Sequence, residues 1–198
     1  MESKIAIFYH IAKMGNWKKV DEQIMGKLRD SGLLAKADVF VRNECSDTKL
    51  YEFPTIHMLD EFSLRNNNYS ILYIHTKGVS RLEPTIEDWR ECMLYWNVER
   101  WRECKDKLDK GYDAVGINVV DMPIRHFQGN FWWANAEHIR TLGTVDSITF
   151  KDRADLTHRH KAEFWVLSKP CRVYSPYHHR INPYMKHNPR VNYEGLKF

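Results

Sequence analysis

Tyr69 to His75 (YSILYIH) runs directly into Thr76-Lys77-Gly78-Val79-Ser80, so an apolar stretch of strand length stops at a loop of small and polar residues. Short apolar runs bounded in this way read as buried strands. Working outward, Lys4 to Tyr9 (KIAIFY) and Ala37 to Val41 (ADVFV) precede it in the same style, and Tyr112 to Val120 (YDAVGINVV) follows. Between the first two, Trp17, Val20, Ile24 and Leu28 recur at the helical spacing of three and four, and Ser31-Gly32 closes that stripe. Met58, Leu59 and Phe62 predict a short helix ended by Asn66-Asn67-Asn68. Ile86, Trp89, Met93, Trp96, Cys104 and Leu108 predict one long amphipathic helix, with Thr85 and Asp88 as its capping box and Gly111 as its end. Strands that alternate with helices and are apolar almost throughout imply a parallel sheet covered on both faces.

In such a sheet ligands sit beyond the carboxyl ends of the strands. The loops after Tyr9, after Arg42, after His75 and after Asp121 therefore hold the candidate site. Composition agrees with one folded domain: 198 residues, 43% hydrophobic, 28% charged, and only 9 Gly and 7 Pro. No apolar run approaches the roughly 20 residues of a membrane-spanning helix, and no signal-peptide pattern is visible, so a cytosolic protein is expected. The four cysteines lack metal or redox spacing and read as reduced packing residues. A net charge of +4 is too small to argue for nucleic acid. Basic residues nevertheless gather after Lys151, with seven of the ten histidines beyond position 125, which suits either an anionic small ligand or a solvated basic surface.

The usual glycine-rich phosphate loops are absent at the first strand end, so side chains must supply any phosphate contact. His75, Lys77 and Gly78 stand where a crevice would present them, although a solvated turn fits the same residues. Phe127 to Ala134 (FQGNFWWA) places Gly-Asn inside an aromatic run. On a strand Trp132 and Trp133 point to opposite faces, one filling core and the other free to line a pocket, with Gly129 allowing close approach. Thr157 to Ser168 predicts a helix capped by Thr157, carrying Glu163 among Ala162, Phe164, Trp165 and Val166. Burial there would raise the Glu163 pKa and suit it to take up a proton, whereas a salt bridge to Arg159 or His160 is the structural alternative. The spacing of His158, His160, His178 and His179 does not suit zinc.

Taken together, IFYHIAKMGNW, ILYIHTKGVS, DAVGINVV, HFQGNFWWANAEHIRTLG and AEFWVLSKP resemble nucleotide-sugar glycosyltransferases of the GT-A type. They resemble in particular the small polysaccharide-type transferase domains of large algal viruses and bacteria. The resemblance runs from Ile5 to Pro170. It implies a Rossmann-like α/β domain over residues 1–170, its sheet mostly parallel and flanked by helices, and leaves 171–198 as a basic, His- and Tyr-rich segment closing the donor site.

By that resemblance Tyr9, His10 and Ala12 hold the nucleotide with Arg42 and Asn43. His75, Thr76, Lys77 and Gly78 take the place of the family's metal-binding Asp-x-Asp. His126, Gly129, Asn130, Trp132 and Trp133 form the acceptor and sugar pocket, and Glu163 is the general base or an acceptor anchor. Without carboxylates at the Asp-x-Asp positions, either Lys77 and His75 neutralise the diphosphate directly or Mn or Mg binds mainly through the donor phosphates. The expected reaction moves a hexosyl or deoxyhexosyl unit from a UDP-sugar, UDP-glucose or UDP-rhamnose, to a glycan or glycoprotein hydroxyl with inversion. The competing reading is a non-catalytic nucleotide- or carbohydrate-binding module.

Overall fold

The strand Lys4–Ala12 (β1) is followed by the helix Trp17–Asp30 (α1), the strand Val39–Cys45 (β2), the helix Phe53–Arg65 (α2) and the strand Tyr69–His75 (β3). The computed structural model describes residues 2–81, 83–150, 153–179 and 181–198. β1 lies between β2 and β3 and is parallel to both. Alternation along β1 divides the core. Ile5, Ile7, Tyr9 and Ile11 pack on one face with Val20, Ile24 and Leu28 of α1. Ala6 and Phe8 pack on the other with Phe53, Ile56 and Leu59 of α2. Every one of these side chains is buried, so neither face of the sheet is free.

The expected long helix is present in two pieces, Pro84–Leu94 (α3) and Trp101–Asp109 (α4), joined by a wide π turn over Tyr95–Glu99. Asn97 explains the break. Its buried amide donates back to the Met93 carbonyl (2.9 Å), and its own carbonyl accepts from Trp133 Nε1 (2.8 Å), so the regular ladder opens at this point. The predicted capping box is not formed. Glu83 occupies the cap position, Pro84 opens the first turn, and the Thr85 hydroxyl reaches the Tyr184 carbonyl instead (3.5 Å).

Tyr112 to Val120 is likewise not one strand. Ala114–Val115 (β4) joins the main sheet, while Val119–Val120 (β5) pairs with His126–Phe127 (β6) in a separate two-stranded ribbon. Gly116 lies against the Phe127 ring, where a Cβ would come within 2.7 Å, and Asn118 turns the chain at a φ of 52°. The strand Trp132–Asn135 (β7) then returns antiparallel between β3 and β4. The chain passes from β4 to β7 through the β5–β6 ribbon with no crossover helix, and so enters antiparallel. Ala136–Leu142 (α5) and His160–Phe164 (α6) cover the face that carries α2. α6 is shorter than the predicted 157–168 helix, and Thr157 contacts His160 Nδ1 rather than capping it.

Val173–Tyr174 (β8) pairs with β4 and completes the order β2-β1-β3-β7-β4-β8. The sheet is therefore mixed but mostly parallel, and the C-terminal segment supplies its edge. Tyr193 is fully buried as well, so the segment after residue 170 contributes to the same core. Cys45, Cys92, Cys104 and Cys171 are free thiols, the first three buried. Among the described residues no helix is long and apolar enough to cross a membrane.

The turn from β1 into α1 is seated on the loop after β3. Asn16 N donates to the Val79 carbonyl (3.0 Å), and Gly15, at a φ of 54°, has that same carbonyl 1.9 Å from where a Cβ would stand. Gly15→Ala should therefore lower stability by more than about 1 kcal/mol. Gly26→Ala, in α1 with nothing within 4 Å, should raise it by about 0.5–1 kcal/mol. Urea denaturation of the two variants checks both signs.

Candidate functional site

Because β1, β2 and β3 are parallel, their carboxyl ends form one edge, and the register sets His10 between Asn43 and His75. A cavity of about 470 Å³ opens at this edge. His10 and Ala12 from β1, Cys45 from β2 and His75 from β3 form its floor, and Lys77 and Gly78 continue from the loop after β3. Glu52, at the start of α2, closes one side, and Lys49, Arg81, Arg159, Glu163 and Tyr184 stand around the mouth.

The floor is polar but uncharged. The Thr55 hydroxyl, wholly buried, accepts from Asn43 Nδ2 (2.9 Å) and lies 2.8 Å from His10 Nδ1. His10 Nδ1 is the acceptor available to the hydroxyl hydrogen, which leaves the ring's own hydrogen on Nε2. Burial, aided by nearby His75, lowers the His10 pKa to about 4, so the ring is neutral at pH 7. Glu52 Oε1 lies 3.0 Å from His75 Nδ1, and its Oε2 accepts from Asn130 Nδ2 (3.2 Å). Burial lowers the His75 pKa to about 3, and burial followed by the Glu163 carboxylate raises that of Glu52.

The rim is cationic. Lys77 Nζ sits 4.5 Å above the Trp89 ring, a cation–π contact that holds the ammonium over the ring. Its loop is fixed by Arg90, buried beneath it, which donates to the Lys77 carbonyl (3.0 Å) and to Gln23 Oε1 (2.6 Å). Gly78 has a φ of 79°, and a Cβ there would lie 2.3 Å from Ile86 Cγ2. Arg81 stacks on Tyr184, its guanidinium carbon 5.0 Å from the ring centre.

A second cavity of about 330 Å³ adjoins the first, and Lys77, Glu163 and Tyr184 line both. His126 and Gly129 line this second space together with Trp89 and Phe164. Glu163 is only partly buried, so the enclosed carboxyl expected from its apolar neighbours is an opening-facing one.

Other expected contacts are displaced by alternation along the strands. Tyr9 points to the α1 face and donates to Asp21 Oδ1 (3.0 Å), and Arg42 pairs with Asp21 (2.6 Å) and with Glu44. Neither lines the cavity. Asn43 acts from behind it through Thr55. Thr76 accepts from the Ala12 amide (3.0 Å), tying two strand ends together. Trp132 and Trp133 do point to opposite faces, but each is fully buried in its own half of the core, so neither forms a sugar platform. Asn130 is buried too, and reaches the site only through Glu52.

Glu52, Lys49, Arg81 and Tyr184 are site residues that the sequence reading missed. For Glu52 a signal was present: Pro54 marks the first turn of a helix, which puts Glu52 at its cap and on the crevice side. A divalent ion held by the strand end does not fit this donor set. Both nitrogens of His75 are occupied by protein partners, Lys77 is itself a cation, and no group of three His, Cys, Asp or Glu among the described residues could hold a metal.

Fold and site together define an α/β domain with a two-lobed, cation-rimmed cavity at the carboxyl edge of its sheet. The chain belongs to the family described as domain of unknown function DUF8361, whose sequence profile matches residues 8–161. No curated protein and no solved structure matches it.

A histidine kept neutral in the fold makes stability depend on pH. Unfolded His10 takes up a proton below its ordinary 6.5, while the folded ring does so only near 4. Between those values the unfolded state binds more protons, so stability falls as pH falls, by about 1.4 kcal/mol per pH unit. Urea titrations from pH 7 to 4.5 should show this slope, and His10→Gln should flatten it whatever its effect on absolute stability.

Proposed function

We propose that this domain is a glycosyltransferase of the GT-A type that takes a UDP-sugar donor and passes its glycosyl unit to a hydroxyl of a glycan. The observation that carries this reading is the pair of adjoining cavities with Lys77 and Glu163 on their shared border. A transferase needs two substrate spaces that meet at the reacting atoms. It also needs a positive group for the leaving phosphate and a base for the incoming hydroxyl at that meeting point.

In the reaction, the acceptor oxygen attacks the anomeric carbon while the bond from that carbon to the diphosphate oxygen breaks. The bonding pair leaves with the diphosphate, whose growing charge is stabilised by Lys77 and by Arg159, which lines the same cavity. The hydroxyl proton passes to the Glu163 carboxylate. Attack from the face opposite the leaving group inverts the anomeric centre. The neutral floor formed by His10 and His75 supports the same reading, since it adds no negative charge beneath an anionic ligand.

UDP, UDP-glucose and UDP-rhamnose should each raise the melting temperature of the parent protein, and one of the two sugars should be consumed. Lys77→Ala should lower kcat about 10²–10³-fold, and Glu163→Gln about 10²–10⁴-fold, both with an unchanged circular dichroism spectrum. Transfer at the parental rate in both variants refutes the assignment of the border residues. Binding of UDP with no donor consumed, even by slow hydrolysis, makes the domain a binding module.

A further inference from the structure

The Gly129-Asn130 turn, whose glycine lines the second cavity, has both residues at positive φ, 95° and 60°, and the function proposed above does not use it. Its hydrogen bonds fix where the protons are. The Gly129 carbonyl can only accept, so the 3.1 Å contact from His75 Nε2 places a hydrogen on that nitrogen. The indole Nε1 of Trp132 can only donate, so its 2.9 Å contact fixes the Asn130 amide with Oδ1 toward the indole. Asn130 Nδ2 therefore faces Glu52 Oε2 as a donor. What remains is the 3.0 Å approach of Glu52 Oε1 to His75 Nδ1, a distance at which two facing lone pairs repel unless one hydrogen lies between them.

Two arrangements contain that single hydrogen: a carboxylic acid donating to a neutral imidazole, or an imidazolium donating to a carboxylate. The surroundings favour the first. His75 is 9% exposed and faces the Lys77 ammonium, which opposes a second cation. Glu52 faces the Glu163 carboxylate, which opposes a second anion. Against this, Lys77 and the Asn130 amide draw Glu52 toward ionisation and Glu163 favours a protonated His75, but burial is the largest influence on both groups, while His10 is neutral and the buried Tyr73 phenol keeps its proton.

We propose that Glu52 and His75 form a one-proton pair with the proton on the carboxyl group, and that Glu52 is a specificity residue reading hydroxyl groups of the glycosyl part of the ligand. With its hydrogen committed to His75, Glu52 presents only lone pairs to the cavity. Lone pairs accept from hydroxyls and offer nothing to phosphate oxygens. The phosphates are thus directed to the Lys77 and Arg159 rim and the sugar to the Glu52 wall, where His10 Nε2–H is a second partner. The protonation half stands on these contacts, burial and neighbouring charges, whereas the ligand half rests on the UDP-sugar reading.

Nitrogen-15 NMR of histidine-labelled protein should show His75 as the neutral Nε2–H form from pH 5 to 8. A doubly protonated ring in that range overturns the pair. Glu52→Gln gives an independent test, because its amide can donate to His75 Nδ1 while its carbonyl accepts from Asn130. At pH 6 its melting temperature should lie within a few degrees of the parent.

The pH dependence follows from proton counts. On this proposal the folded pair keeps its one proton as pH rises, while its unfolded groups hold one between their ordinary 4.5 and 6.5 and none above. The parent therefore loses stability as pH rises past 6.5, and Glu52→Gln, with no proton there in either state, does not. The melting temperature of the variant minus that of the parent should rise from pH 6 to pH 9. A flat difference overturns the pair.

For the ligand half, Glu52→Ala should weaken UDP-glucose binding about tenfold, an effect near the ~1.4 kcal/mol of one hydrogen bond, and leave UDP binding within twofold. Equal loss for both ligands, or for neither, overturns the specificity role. Failure of the parent to bind UDP at all overturns the reading of the cavity and this half with it, while the NMR result still decides the pair.

Discussion

His10 and His75 are register partners on neighbouring parallel strands, and the geometry of the site follows from that pairing. Parallel strands end at one level, so two imidazoles, one glycine-bearing loop and the start of α2 meet at a single edge. Alternation then sorts the chemistry. On β1 the odd side chains belong to the α1 face and the even ones to the α2 face, so His10 reaches Thr55 while Tyr9, one residue earlier, reaches Asp21. A shift of one residue in the pairing would exchange the two and empty the floor of its histidines.

The second organising feature is the separation of charge from burial. Ionised groups are expensive to enclose, and buried polar groups are tolerated when each hydrogen bond is made. The site obeys this by layers: neutral His10, His75 and Thr55 lie beneath, and Lys77, Arg81 and Arg159 stand at the opening. Arg90 is the exception, a guanidinium 4% exposed. Its Nε and Nη1 donate to Gln23 and to the Lys77 carbonyl, so its burial fixes the loop that carries the rim cation. Burial also pulls its pKa below the usual value, partly countered by Glu87 and Glu91.

The strands β1 and β3 and the helix α1 were legible because apolar periodicity reports the burial of a whole face, and those elements are long enough to show it. Residues that act from the loop between β2 and α2 were not, since Lys49 and Glu52 carry no periodicity and are brought to the cavity by pairing between β1 and β2. The long helix over α3 and α4 misled because a spacing rule cannot see Asn97 diverting the Met93 carbonyl. FQGNFWWA was visible as unusual, yet its meaning required the fold. Adjacent tryptophans on a central strand have core on both sides, so the strand that sequence offered as a pocket wall is the one least able to reach a ligand.

That same burial gives the motif its use. A proton can be confined to one carboxyl group only if the partners around it cannot rotate, and rotation is easiest where side chains meet solvent. Trp132, fully enclosed, fixes the Asn130 amide, and the main chain at Gly129 fixes the imidazole of His75. Both anchors come from one turn, whose positive φ values let a carbonyl and a side-chain amide face the same pair of residues. At Gly129 a Cβ would lie 2.4 Å from Met93 Sδ, so glycine is required by packing as well as by φ. The aromatic run acts on the proposed Glu52–His75 pair through rigidity transmitted by two hydrogen bonds, with its indole rings buried in the core.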